Sequence, residues 1–254
     1  WPGKGIHYRM HPANVGCLTA ARIDCCVLAN NHVLDWGRDG LAETLGVLRT
    51  AGLRTAGAGS DAAQASAPAV IDGPHGGRVL VFAFASPSSG VPLEWAATRH
   101  RSGVCVLDET DDREVERVAR LVQAARRPGD VVVASIHWGG NWGYEVPAAQ
   151  RSFAHRLVDA AAVDVVHGHS SHHPRPIEVH RGKLILYGCG DLLNDYEGIG
   201  GYEALRPELG FMYLPELDAR DGRLVQLALI PTRIGQFRVN LATEEEQQWL
   251  LETF

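Results

Sequence analysis

Short apolar runs rich in β-branched residues alternate along this chain with amphipathic helical patterns, and that alternation predicts a sheet covered by helices. The clearest run, Val131-Val132-Val133-Ala134-Ser135-Ile136, carries no charge and reads as a strand buried on both faces. Residues 25–28, 70–71 and 79–85 read as earlier strands, and 164–166 as a short later one. Leu41, Leu45 and Leu48 recur at helical spacing and stop at Gly52; Val115, Val118, Leu121, Val122 and Ala125 form a second stripe. A third helix, behind Pro147, carries Phe153, Leu157, Val158 and Ala161 on one face. From Ile177 strands dominate, over 177–179, 184–187, 211–214 and 224–230, before a short helix over 244–251. The stretch 86–102 is the longest expected loop and a candidate lid. Gly57-Ala58-Gly59 lacks the third glycine of a dinucleotide fingerprint and reads as a turn. Neither a repeat nor a second domain boundary interrupts residues 1–254, which read as a single α/β domain.

Charge and cysteine content narrow the function classes. With 24 Lys and Arg against 30 Asp and Glu, the net charge of −6 opposes binding to a phosphate backbone, so nucleic acid is not an expected partner. No run of eighteen apolar residues marks a membrane span and the first residues lack a signal-peptide pattern, so a cytoplasmic protein without membrane partners is expected; the sequence leaves the oligomeric state open. The five cysteines contain no C-x-x-C pair, and buried, reduced thiols are expected rather than a nucleophile. Histidine stands out instead, with twelve in the chain and four between His167 and His173.

Three expected strands end in polar, histidine-bearing segments: Asn30-Asn31-His32, Ser135-Ile136-His137, and the loop from His167 to His173. Ligands of open α/β sheets bind beyond the carboxyl ends of strands, so these distant segments are expected to converge. Imidazoles on separate strand ends suit a divalent transition ion, complemented by amide and carboxylate oxygens. The alternative is a set of histidines hydrogen-bonded at strand ends. His167 is either a packed strand residue or an added acid–base group, and His173 is equally open. His155 is expected to pair with Asp159 on its own helix, while His7, His11, His75, His100 and His180 are expected to be solvated. Trp36, Trp138, Trp142 and Tyr144 adjoin the candidate loops as core or as walls of a substrate pocket.

The segments Leu28-Ala29-Asn30-Asn31-His32-Val33-Leu34-Asp35-Trp36-Gly37, Ile136-His137-Trp138-Gly139, Gly168-His169 with His172 and Ile185-Leu186-Tyr187-Gly188-Cys189-Gly190-Asp191 resemble the CapA-like family of poly-γ-glutamate capsule proteins, as does Gly57-Ala58-Gly59. That family is related to calcineurin-like metallophosphoesterases. The resemblance implies a calcineurin-like metallophosphatase sandwich, with mixed sheets flanked by helices. It implies Asn31, His137, His169 and His172 as metal ligands, and His32, Asp35, His137, His169 and Asp191 as catalytic groups, with Asp35 orienting His32. Trp36, Trp138, Trp142, Tyr144 and Asp195 are the expected substrate-binding residues. Asp191 and Asp195 serve either there or as turn caps.

The sequence departs from the family at its start, where the strand bearing Asp and His and the following Gly-Asp loop are not found, so half of a two-metal ligand set is missing from these residues. The oxygen-rich loop after Gly190 suits Ca²⁺, Mg²⁺ or Mn²⁺. His/Asp pairs beside a divalent ion fit an isomerase, and the chain resembles the CapA-like enzymes that epimerise the Cα of a residue in lasso-type precursor peptides; a peptide substrate is expected. The alternatives are a metal-dependent phosphoesterase and a protein of poly-γ-glutamate biosynthesis or binding.

Overall fold

The computed structural model describes residues 1–73, 76–194 and 200–254. After a 3₁₀ turn at Pro12–Val15, the elements run α1 Gly16–Ala20, β1 Cys25–Val27, α2 Gly37–Thr50, β2 Arg54–Ala56, β3 Ala58–Gly59, α3 Ala62–Ser66, β4 Ala69–Asp72 and β5 Arg78–Ala85. Then follow β6 Gly103–Val104, α4 Asp112–Ala125, β7 Val131–His137, α5 Ala148–Ala160, β8 Val165–His169, β9 Ile177–His180 and β10 Lys183–Leu186. The last elements are β11 Leu209–Leu217, β12 Leu224–Gly235, β13 Arg238–Leu241 and α6 Glu244–Thr253. Asp111 caps α4 through its carboxylate, and Thr243 with Glu246 closes a capping box on α6.

A six-stranded sheet ordered β4-β5-β7-β8-β10-β9 forms the centre, with β5, β7, β8 and β10 parallel and the two edges antiparallel. The period of two along each strand divides its side chains between two cores. Leu80, Phe82 and Phe84 of β5, Val132, Ala134 and Ile136 of β7, Val166 of β8 and Ile185 of β10 meet Val118, Phe153 and Leu157 of α4 and α5. Each of these Leu, Ile and Phe side chains contributes about 1.5–3 kcal/mol by its burial. The alternate residues face the other way. Ala83 and Ala85 pack with Leu28, Leu41, Leu48 and Trp95 around α2, and Val165, Leu184 and Leu186 pack against Leu224 and Leu227 of the separate β11-β12-β13 sheet. The expected sandwich of mixed sheets flanked by helices is therefore what forms.

Several local expectations change. The stretch 86–102 is no lid: Trp95 is fully buried and Val91 nearly so, anchoring it in the second core. Gly57-Ala58-Gly59 is not only a turn, because Ala58 and Gly59 pair with Val104 and Gly103. Gly57, at φ +88°, also lies where a Cβ would come within 2.6 Å of the Ala29 Cβ. Cys17 is exposed rather than buried. Burial pushes the thiols of Cys25 and Cys189 up to about 11 and about 12, away from nucleophilic use. Among the described residues, no helix is long and apolar enough to cross a membrane.

Candidate metal and acid–base centre

The parity that sends Ile136 toward the helices sends Ser135 and His137 to the opposite face of the sheet, and the same holds for His167 and His169 about Gly168. β8 is longer than expected and carries both His167 and His169 as ladder residues rather than in a loop. Ser135 stands opposite His167 and His137 opposite His169. Two parallel strands thus place four polar side chains in one cross-strand block at their carboxyl ends. Only glycine fits between the two histidines of β8, because a Cβ on Gly168 would lie 2.5 Å from the Tyr187 carbonyl oxygen and 2.6 Å from Trp138 Nε1.

The Nδ1 atoms of His137 and His169 are 3.0 Å apart. Ser135 Oγ lies 3.1 Å from His169 Nε2 and 2.9 Å from His167 Nδ1, joining the three imidazoles in one network. Loss of hydration lowers His137 to about 3 and His167 to about 4, and lowers His169 well below its ordinary value. All three rings are neutral near pH 7, the state in which imidazole ligates metals. His137 Nε2 is buried without a hydrogen-bond partner among the described residues.

The turn after β1 brings His32 to this face. Its Nδ1 lies 2.6 Å from Asp35 Oδ2, and the Asn30 side chain accepts the His32 backbone N–H at 2.9 Å, which shapes the turn. Asp35 is 2% exposed. Burial alone would raise its carboxyl, but hydrogen bonds from Lys4, His32 and the Tyr8 backbone N–H hold it below the usual range. Burial also lowers His32, with Asp35 opposing that shift. On the other side, His172 Nδ1 lies 2.9 Å from Asp191 Oδ2, which also accepts from the Asn194 amide at 2.9 Å. His32 and His172 are both close enough to depress His137 electrostatically, so residues separated by more than a hundred positions share one site.

The structure gathers His32, Asp35, His137, His169, His172 and Asp191, but it does not join every expected metal ligand. Among the described residues, no third His, Cys or carboxylate brings a ligand atom within 4.8 Å of the His137 and His169 nitrogens together. His172 turns Nδ1 to Asp191 instead. The Asn31 backbone carbonyl oxygen accepts from Lys4. Two neutral imidazole nitrogens are donors that a divalent transition ion accepts.

The aromatic residues divide. Trp36 is 54% exposed, carries the Arg9 guanidinium 5.0 Å over its ring, and with His32, Tyr8, Met10 and Val33 lines a cleft of about 620 Å³. Trp142 stacks on Tyr202 at 3.9 Å and lies 5.3 Å from the His172 ring. Trp138 is not a pocket wall: it is 1% exposed, belongs to the helix-side core and donates Nε1–H to the Tyr187 carbonyl. Tyr144 packs edge-on against His173 and Phe254. Asp195 and His75 lie outside the described residues.

Sequence reasoning missed Lys4, Tyr8 and Ser135. Ser135 was within reach of the period-two rule, standing two positions before His137 on a strand. Nothing local distinguishes Lys4 or the Tyr8 backbone, whose roles arise only when the first ten residues fold over Asp35.

Residues 1–196 match the family model described as bacterial capsule synthesis protein PGA_cap. A "Probable polyglutamine synthesis accessory protein" of Mycobacterium tuberculosis is 49% identical over 251 residues, which cover 98% of this chain and 66% of the relative. The "PGA biosynthesis protein CapA" of Bacillus subtilis is 29% identical over 192 residues, or 76% of this chain and 48% of the relative, and the "Capsule biosynthesis protein CapA" of Bacillus anthracis is 26% identical over the same length. The chain spans about two thirds of the mycobacterial relative and about half of the Bacillus proteins. With the family model covering the whole of the candidate centre and the fold agreeing, the chain belongs to the CapA-like, metal-associated family of bacterial capsule synthesis proteins.

Proposed function

We propose that this chain is a metal-dependent accessory enzyme of polyglutamate synthesis that hydrolyses amide bonds of the polymer. The observation that carries this reading is the pairing of two carboxylate-backed imidazoles, His32–Asp35 and His172–Asp191, with the neutral nitrogens of His137 and His169 in one centre. The relatives' names support the choice of polymer, one printing polyglutamine synthesis and the other PGA biosynthesis.

Asp35 accepts the hydrogen bond of His32 Nδ1–H and so directs Nε2 as the nitrogen that gives or takes a proton. Asp191 does the same for His172. His137 and His169, with the Asn31 amide, would hold the divalent ion, which when bound polarises a carbonyl and acidifies water. The cleft beside His32 has apolar walls and sets the Arg9 guanidinium, over the Trp36 ring, against the carboxylates of Asp39 and Glu43, so Arg9 is the group there that would meet a substrate carboxylate. One of the two His–Asp pairs withdraws a proton from the attacking water, and the other returns one to the departing amide nitrogen.

Epimerisation at Cα is the second reading, favoured by the presence of two His–Asp pairs, since inversion needs one group to remove a proton and another to return it. The deciding experiment incubates the chain with Mn²⁺ and synthetic poly-γ-glutamate in D₂O, followed by chain-length analysis and mass spectrometry. Shortened chains without deuterium at Cα are the expected result. Deuterium at Cα with unchanged length would establish epimerisation instead. Unaltered polymer together with hydrolysis of p-nitrophenyl phosphate would replace both by phosphoester chemistry, and unaltered polymer without it would reject the enzyme reading.

A further inference from the structure

On the helix-covered side of the sheet, away from the face that carries His137 and His169, a second histidine cluster joins α5 to the edge strand β9. Glu178 and His180 are two apart on β9 and share a face, while His155 and Asp159 are four apart on α5 and share a face. The sequence-based pairing of His155 with Asp159 does not form, and His180 is not simply solvated. His155 Nε2 instead meets Glu178 Oε1 at 2.6 Å, and His180 Nε2 meets Asp159 Oδ1 at 3.0 Å. The two imidazole rings stack in parallel, 3.9 Å apart with 5° between their planes.

We propose that His155, Glu178 and His180 form a second divalent-metal site, of the Zn²⁺ class, that clamps α5 to the edge of the sheet. Ligand atoms of all three lie within 4.8 Å of one another, and among the described residues no other set of three His, Cys or acidic groups does so. Two imidazoles and one carboxylate, with a water in the fourth position, form a donor set that Zn²⁺ uses. The carboxylate is already oriented: Tyr187 Oη donates to Glu178 Oε2 at 2.7 Å and Arg151 Nη1 at 3.2 Å, leaving Oε1 toward the histidines. Asp159, held in turn by Arg181 at 3.0 Å, fixes the His180 ring. The side chains of His155, Glu178 and His180 remain 21–28% exposed, so an ion can enter with its water. Without an ion, the same groups form ordinary hydrogen bonds between helix and strand, and the two states differ in what they bind.

The test uses the chelator-treated chain carrying His137→Ala and His169→Ala, so that the strand-end pair does not contribute. Calorimetric titration with Zn²⁺ should find about one equivalent bound with micromolar or tighter affinity, and saturation should raise Tm by about 5 °C. Adding His155→Gln and His180→Gln should weaken binding by at least about 100-fold and abolish the shift in Tm. Glu178→Gln keeps the shape of the clamp and should weaken binding while the chain stays folded by circular dichroism. If either combination unfolds, the His155 and His180 ring signals of the unaltered chain, followed by NMR during the titration, give the same answer. No bound Zn²⁺ at 100 μM, affinity unchanged by the substitutions, or unmoved ring signals would overturn the site.

Discussion

His137 and His169 face each other with no carboxylate hydrogen-bonded to either among the described residues, whereas His32 and His172 each hold an aspartate against Nδ1. The two halves of the centre contain the same side chain in opposite electrostatic settings. With no counter-charge, desolvation drives the imidazole to its neutral form and leaves nitrogen lone pairs for a ligand. With a carboxylate against Nδ1, the ring has a fixed tautomer, and at His32 Asp35 opposes the lowering that burial causes. The two kinds of ring differ in the neighbour that each nitrogen meets, not in the ring itself.

The division can be broken first on the carboxylate-backed side. His32→Ala should lower turnover by about 10²-fold or more, as expected for loss of a general acid or base. Its Tm should stay near that of the unaltered chain, measured in the same preparation, because the ring lines a cleft rather than a core. A mutant that loses activity only in proportion to its unfolded fraction would place His32 among structural residues.

The bare side should announce itself in stability. Above pH 6.5 the His137 ring is neutral in both folded and unfolded chains and contributes no pH dependence. As pH falls below that value the unfolded chain takes up a proton that the folded chain refuses until about pH 3, so stability is lost across this window. In chelator-treated protein, urea unfolding should show a loss of roughly 2 kcal/mol between pH 7 and pH 5 from His137 alone. His167 and His169 act in the same direction. His137→Gln should flatten the dependence; an unchanged slope would mean that the ring is protonated in the folded state.

The smallest effect is expected at the cleft wall. Trp36→Ala should raise KM for the polymer several-fold with kcat little changed, and should alter stability by no more than about 0.5 kcal/mol, since the ring is more than half exposed. A fall in kcat with KM unchanged would move Trp36 from binding the chain to shaping the His32 turn.

The core strands were legible because β5, β7 and β10 are apolar on both faces and the helices α2, α4 and α5 carry regular stripes. His137 was legible as a strand end for the same reason. The reach of β8 was not, since His167-Gly168-His169 has a loop-like composition and joins the ladder only because Gly168 lets Tyr187 and Trp138 close over it. β13 and α1 were missed because both are short and largely exposed, with little apolar periodicity to mark them. Trp138 stood next to a site histidine in sequence, yet the alternation of strand faces sends neighbours to opposite sides. The His155–Glu178 contact joins a helix to a strand across 23 positions, and no local spacing rule reaches that far.

The cross-strand pairing of His137 with His169 has a kinetic consequence. β7 and β8 are the middle strands of six, with two strands on either side, so separating the pair means rupturing the central ladder. Amide hydrogens of 133–137 and 165–169 should therefore exchange with solvent only through complete unfolding. Asn31 and His32 ride instead on a turn beyond a two-stranded sheet, secured by side chains of the first ten residues. That turn can open at lower free energy while the strand pair stays intact. The centre thus has one side built into the sheet and one side carried on a turn, and opening of the turn leaves the sheet undisturbed.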